Sequence, residues 1–219
     1  MIKELNILNL KRNLAITKSK GKLISFLDVD DWWVNSKLRK QVDIFLKDKS
    51  VDIVYSNVYL YYERNNSKKI YIKKKLMEGK LTQHLINKFE MPILSTIIKK
   101  NIFNKIKFDN RYTIIGDFDF FVRLSLTHNI SAHQEPLAYY RVHDSNLTTK
   151  KIGLHIKEIE SWVLEKIKNK NFNSINFSKT YEEIEILKIK KNLIEGNRFR
   201  AFLGILRRPY KILKLKFFN

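Results

Sequence analysis

Apolar positions along the chain switch between two periods. Leu38, Val42 and Phe45 recur at helical spacing and predict a helix from about Ser36 to Lys47, with Asn35 or Ser36 as its N-cap. Phe118, Phe121, Val122 and Leu126 do the same for Gly116 to Leu126. Shorter helical patterns cover Arg12 to Lys20, closed by Gly21, and Lys80 to Phe89. Leu23 to Leu27 is a nearly continuous apolar run, which predicts a strand buried on both faces of a parallel sheet. Val51 to Glu63 is β-branched and tyrosine-rich and predicts a second strand. A turn at residues 63–67 returns the chain through an exposed hairpin strand at Lys69 to Lys75. Leu94 to Lys99 and Leu137 to Val142 read as further strands. After about Lys150 only helical patterns remain, at Leu154 to Ile167, Tyr181 to Ile194 and Phe199 to Leu206. The pattern therefore gives an α/β domain over residues 1–150 and a helical extension over 151–219.

Composition sharpens this picture. Apolar residues make up 44% of the 219, a globular balance. There is no cysteine, which removes disulfides, thiolate metal sites and a cysteine nucleophile. No apolar run is long enough to cross a bilayer, and charged residues break up Met1 to Leu14, so neither a span nor a signal peptide is expected. The net charge is +21, carried by 33 lysines and 10 arginines; this lysine bias suits an AT-rich coding sequence and accounts for most of the surplus. The stretch from Gly196 onward is different, with seven basic residues and no acid.

Three clusters carry candidate chemistry. Asp28-Val29-Asp30-Asp31 ends the first apolar run, where open α/β sheets bind ligands. Crowded carboxylates repel one another unless water or a divalent cation neutralises them, and oxygen ligands suit Mg or Mn; a turn with a helix-capping Asp is the bland alternative. Gly116-Asp117-Phe118-Asp119 opens an amphipathic helix, so one acid is a candidate general base and the other a structural or capping group. Tyr139-Tyr140-Arg141-Val142-His143 ends a short strand and offers His143 as a phosphate or metal contact.

Together these segments resemble the family 2 inverting glycosyltransferases, which have a GT-A fold. The resemblance is carried by Arg12-Asn13-Leu14-Ala15-Ile16 with Gly21, by Leu23 to Trp33 with Leu38 and Gln41, by Gly116 to Asp119 with Arg123, and by Glu135 to His143. It covers about residues 8–150. It implies a GT-A-like mixed sheet followed by C-terminal helices, and a transferase that moves a sugar from a nucleotide-diphosphate sugar to a hydroxyl acceptor. Asp28 and Asp30 match the family's Asp-x-Asp pair, with Asp30 the main ligand of an Mn or Mg ion and Asp28 and His143 completing the metal site. Arg12, Asn13, Asp28, Asp30, Asp31 and His143 would bind the nucleotide-sugar. Asp117 matches the general base, and many relatives carry Glu at the place of Gly116. Trp32 and Trp33 are candidates to stack on an acceptor sugar, with core packing the alternative for one of them.

In the family two strand–helix units precede the position of Arg12, and Met1 to Leu10 contains neither. The resemblance thus implies an N-terminally truncated sheet: a fragment, a misplaced start, or a half completed by another polypeptide. An inactive remnant of a transferase is one alternative function. A phosphotransferase of the haloacid dehalogenase kind is another, although Trp32 stands where that motif needs Thr or Val. Basic residues interleave with aromatics only in the tail at this level, so no nucleic-acid partner is expected. Residues 197–219, with Phe199, Phe202, Tyr210, Phe217 and Phe218 among their basic residues, suit an anionic bilayer surface. A surface glycan or lipid-linked saccharide would then be the acceptor, and the expected place is the cytoplasm at the inner face of the membrane.

Overall fold

The structure, a computed structural model, describes residues 7–143 and 150–206. The chain forms two compact units, Met1–Asn146 and Leu147–Asn219.

Two long strands carry the first unit. β3 (Ile53–Tyr62) and β6 (Ile130–Val142) pair in parallel, from Ile53 opposite Ile130 to Tyr62 opposite Val142. The register shifts around Asn57, where Pro136 cannot donate to the ladder and a bulge forms. Four short strands complete a mixed sheet: β1 (Leu23–Ile24), β2 (Trp32–Trp33), β4 (Ser67–Ile70) and β5 (Ile97–Lys99). Their order is β1-β5-β3-β6-β2, with β4 beside β3.

The expectation for Leu23 to Leu27 is corrected on two counts. β1 is antiparallel to β5, and it ends at Ile24. Its partner β5 begins only at Ile97, after a 3-10 turn over Ile93–Ser95, so no ladder faces Ser25 to Leu27. The Ser25 side chain instead donates to the Thr96 carbonyl at 2.5 Å. Leu94 to Lys99 shortens to β5 for the same reason. β6 starts seven residues before the expected Leu137, because its first half is polar and carries the bulge. The hairpin strand sits earlier than expected, over Ser67–Ile70.

Among the described residues four helices accompany this sheet: α1 (Ile7–Lys18), α2 (Lys37–Lys47), α3 (Thr82–Asn87) and α4 (Gly116–Ser125). α2 seats Phe45 against Val51, Val54 and Ile97. α4 buries Phe120 in an aromatic cluster: Phe108 stacks on it at 4.0 Å and Phe103 at 5.5 Å, while Phe26 meets Phe108 edge-on at 5.5 Å. This cluster fixes the chain leading to the first acids against the helix that carries Asp117. β1 ends the strand order; among the described residues nothing pairs with its outer edge, and α1 turns Ile7, Leu10 and Leu14 to solvent.

The second unit is helical: α5 (Ile152–Ile167), α6 (Ser178–Ile194) and α7 (Arg198–Leu206). Trp162 is its fully buried centre, edge-on to Phe172 and Phe177. Residues 207–219 of the basic tail lie outside the described residues. Among the described residues no helix is long and apolar enough to cross a membrane.

Candidate active site

The chain leaves β1, passes Phe26, and closes a turn in which Asp31 N donates to the Asp28 carbonyl at 3.2 Å. Three carboxylates therefore crowd one turn at the end of β1. Each takes a different partner. Asp28 Oδ1 lies 3.6 Å from Arg12 Nη2. Asp30 Oδ2 is 3.0 Å from His143 Nε2. Asp31 Oδ1 accepts from the backbone N of Arg141 at 2.8 Å. Burial, opposed by that hydrogen bond and reinforced by Asp30 and Asp28, pushes the Asp31 carboxyl up to about 6.

Asp117 reaches the same place from α4. Its Oδ1 accepts from Arg12 Nη1, so one guanidinium joins the first acid of the turn to the acid of the helix. Asp117 Oδ2 has no hydrogen-bond partner among the described residues. Burial raises the Asp117 carboxyl, and Arg12 opposes the rise. A raised, half-open carboxylate with one committed oxygen suits a general base. The neighbouring acid does a different job. Asp119 is fully buried and takes Arg123 Nε at 2.8 Å, while Arg123 also donates to the Lys107 carbonyl.

α1 holds this arrangement through two asparagines. Asn13 exchanges two hydrogen bonds with the main chain of Phe108, at 2.8 and 3.0 Å. Asn9, which the sequence reading passed over, donates to the carbonyls of Asp109 and Tyr112. Asn9 also explains Gly116, because a Cβ there would sit 2.5 Å from Asn9 Nδ2. The space that a side chain at 116 needs is filled by α1.

The two tryptophans part. Adjacent strand residues point to opposite faces. Trp33 joins the core cluster of Val58, Leu94 and Ala138, and its Nε1 donates to the Leu94 carbonyl. Trp32 stacks on Tyr139 at 4.8 Å, and Tyr139 stacks in turn on Tyr59. Arg141, read from the sequence only as a neighbour of His143, ties the corner together. Its Nε donates to the Asp30 carbonyl, its Nη1 to Glu63, and its guanidinium lies 5.3 Å over Trp32.

No group of three metal-ligating side chains occurs among the described residues. Within the candidate site, Asp30 and His143 set one carboxylate oxygen and one imidazole nitrogen side by side. Such a pair fits an ion that takes its remaining ligands from substrate phosphates and water.

The mixed sheet, with acids on the turn after β1 and at the start of α4, defines an α/β transferase domain of the GT-A type. The chain belongs to the glycosyltransferase-like family 2, whose sequence profile matches residues 8–218. It is 26% identical over 132 residues to an uncharacterised glycosyltransferase of Methanocaldococcus jannaschii, covering 60% of this chain and 46% of that one. It is 28% identical over 145 residues to WfgD of Escherichia coli, a UDP-Glc:α-D-GlcNAc-diphosphoundecaprenol β-1,3-glucosyltransferase, covering 64% and 53%. Residues 1–349 of S. aureus TarS superpose with a TM-score of 0.51 at 13% identity, covering 84% of this chain and 51% of that one. The chain thus spans about half the length of these proteins. Membership of the family sets aside the phosphotransferase reading.

Proposed function

We propose that the chain transfers a sugar from a nucleotide-diphosphate sugar to a hydroxyl of a saccharide or lipid-linked acceptor, with inversion. The observation that carries this reading is the bridge made by Arg12 between Asp28 on the turn and Asp117 on α4. It holds a donor-side acid and a base at one place. The acceptor oxygen attacks the anomeric carbon while its proton passes to Asp117 Oδ2. The new C–O bond forms as the bond to the donor diphosphate breaks, and the nucleoside diphosphate leaves. Asp30 and His143 would hold the divalent ion, which stabilises charge on the departing diphosphate when bound. Arg12 orients Asp117, and Arg141 fixes the Asp30–Asp31 backbone beneath the donor. Trp32 remains the candidate to meet an acceptor sugar, at the edge of its ring beside Tyr139 and Arg141, since Trp33 packs against the core. The acceptor class finds support in WfgD, whose name specifies a diphosphoundecaprenol-linked sugar. Exposed Phe199 and Phe202 beside Arg198 and Arg200 on α7 support membrane contact through residues 197–219.

The test is a turnover assay of Asp117→Asn across UDP-, GDP- and dTDP-sugars. Turnover should fall by roughly a thousand-fold or more with nucleotide binding retained. Undiminished turnover would remove Asp117 from the chemistry.

A further inference from the structure

Basic and aromatic residues interleave at residues 61–75 as well as in the tail, and folding gathers them on one surface. β4 is an edge strand that, among the described residues, pairs with β3 alone. Its continuation is held just as firmly. Tyr71 N donates to the Val58 carbonyl at 3.0 Å, and the Asn57 amide clamps Ile72, donating to its carbonyl at 2.7 Å and accepting from its N at 3.1 Å. Along this edge Lys68, Lys69, Lys73, Lys74 and Lys75 are all exposed, and among the described residues none is paired with an acid. The nearby acids are engaged elsewhere: Glu63 takes Arg141, and Glu78 takes Ser131 and the Ala132 N. Lys68 lies 4.7 Å over the Tyr59 ring and Lys69 5.5 Å over Tyr62. Ile70 (45% exposed) sits between the lysines, and beside it Tyr71 keeps part of its ring in solvent while its hydroxyl donates to the Phe89 carbonyl at 3.3 Å.

Lysines on an edge strand blunt unwanted strand pairing. That explains Lys68 and Lys69. It leaves Lys73, Lys74 and Lys75 beyond the strand without that reason, and Ile70 half exposed beside them. Cations whose stems lie on aromatic rings, with apolar side chains among them, match the interface of an anionic bilayer, where headgroups take the charge and the boundary takes the apolar groups. We infer that the edge from Ser67 to Lys75 docks on anionic lipid headgroups as a preformed surface, separate from the tail. The same edge leads toward the candidate active site through the strand register, since Ile70 lies opposite Tyr59, Tyr59 opposite Tyr139, and Tyr139 opposite Trp32. That it would bring a lipid-linked acceptor to the site rests on the transferase reading; the docking itself does not.

The test is sedimentation of the full chain with vesicles of phosphatidylcholine, with and without phosphatidylglycerol. A lysine near an anionic surface is worth about 1 kcal/mol, or about five-fold in binding. Changing Lys73, Lys74 and Lys75 together to Gln should therefore weaken binding to anionic vesicles on the order of a hundred-fold. The same charge change at Lys18, Lys20 and Lys22 should have a far smaller effect. Ile70→Ser should weaken vesicle binding and leave retention of a single-stranded oligonucleotide unchanged. Thermal unfolding of each variant checks that the fold is intact, and UDP binding, measured separately, reports on the transferase reading. Equal loss in the two triple variants would reduce the effect to net charge and overturn the inference. Undiminished vesicle binding in the 73–75 variant would overturn it too. So would oligonucleotide retention that depends on Lys73 to Lys75 and exceeds vesicle binding, which would assign the surface to nucleic acid.

Discussion

Lys37 should cost the protein stability, and its removal should repay it in a defined pH window. The side chain is fully buried at the start of α2. Its Nζ donates to Ser25 Oγ at 3.1 Å and lies 4.4 Å over the Trp33 ring, and no salt bridge reaches it among the described residues. Burial alone lowers its pKa from 10.5 to about 7. The unfolded chain therefore holds this proton up to about pH 10.5 and the folded chain only to about 7. Between those values the unfolded state binds more protons, so stability rises with pH; below about 7 the full penalty for a buried charge applies. At 1.36 kcal/mol per pH unit the penalty is about 5 kcal/mol, and the ring and the Ser25 hydroxyl make this an upper bound. Lys37→Met keeps the length and removes the charge. The variant should be about 2 to 4 kcal/mol more stable than the parent at pH 6, and its urea midpoint should lose the rise between pH 7 and 10. Parallel pH profiles of the two proteins would refute the reasoning. So would a variant less stable than the parent at pH 6.

Other expectations concern the acids and their supports. Gly116→Ala would drive a Cβ into Asn9 and strip two main-chain hydrogen bonds, lowering stability by about 2 to 3 kcal/mol in denaturant titration; Asn9→Ala in the same chain should restore part of it. Asp119→Asn leaves Arg123 without its buried partner and should cost about 3 kcal/mol, whereas Asp117→Asn should change the unfolding midpoint little. Arg12→Met removes the cation that opposes the burial-driven rise of Asp117. The acid limb of the pH–rate profile should move to higher pH, because the base must be ionised to work.

Much of this was legible in the sequence where local pattern and tertiary environment agree. α2, α4 and the helices of the second unit follow from their apolar spacing. The three acid- and histidine-bearing segments were visible as clusters, and the structure brings Asp28, Asp30, Asp31, His143 and Asp117 to one corner. What was not legible depends on partners far along the chain. Leu23 to Leu27 looks like a full strand, but a strand is as long as its neighbour allows, and β5 starts late. The first half of β6 hides because its polar residues and Pro136 break the alternation. Asn9 lies before the expected helix, and Asn13 stands out in the sequence only as the resemblance's nucleotide-sugar contact; both instead bond to main chain about a hundred residues away. Arg141 likewise becomes a strut only when the turn at Asp30 and the end of β3 meet it. The two consecutive tryptophans carried a usable signal, since a strand must send them to opposite faces, but nothing local says which faces the core.

The central claim is a nucleotide-sugar site built on the acid turn. Calorimetric binding of UDP, GDP and dTDP to the chain, each with manganese and with chelator, beside Asp30→Asn, tests it most directly. One of these nucleotides should bind in the presence of manganese, and the binding should disappear with chelator and in the variant. A folded chain that binds none of them, or binds equally well without metal and without the Asp30 carboxylate, would contradict it.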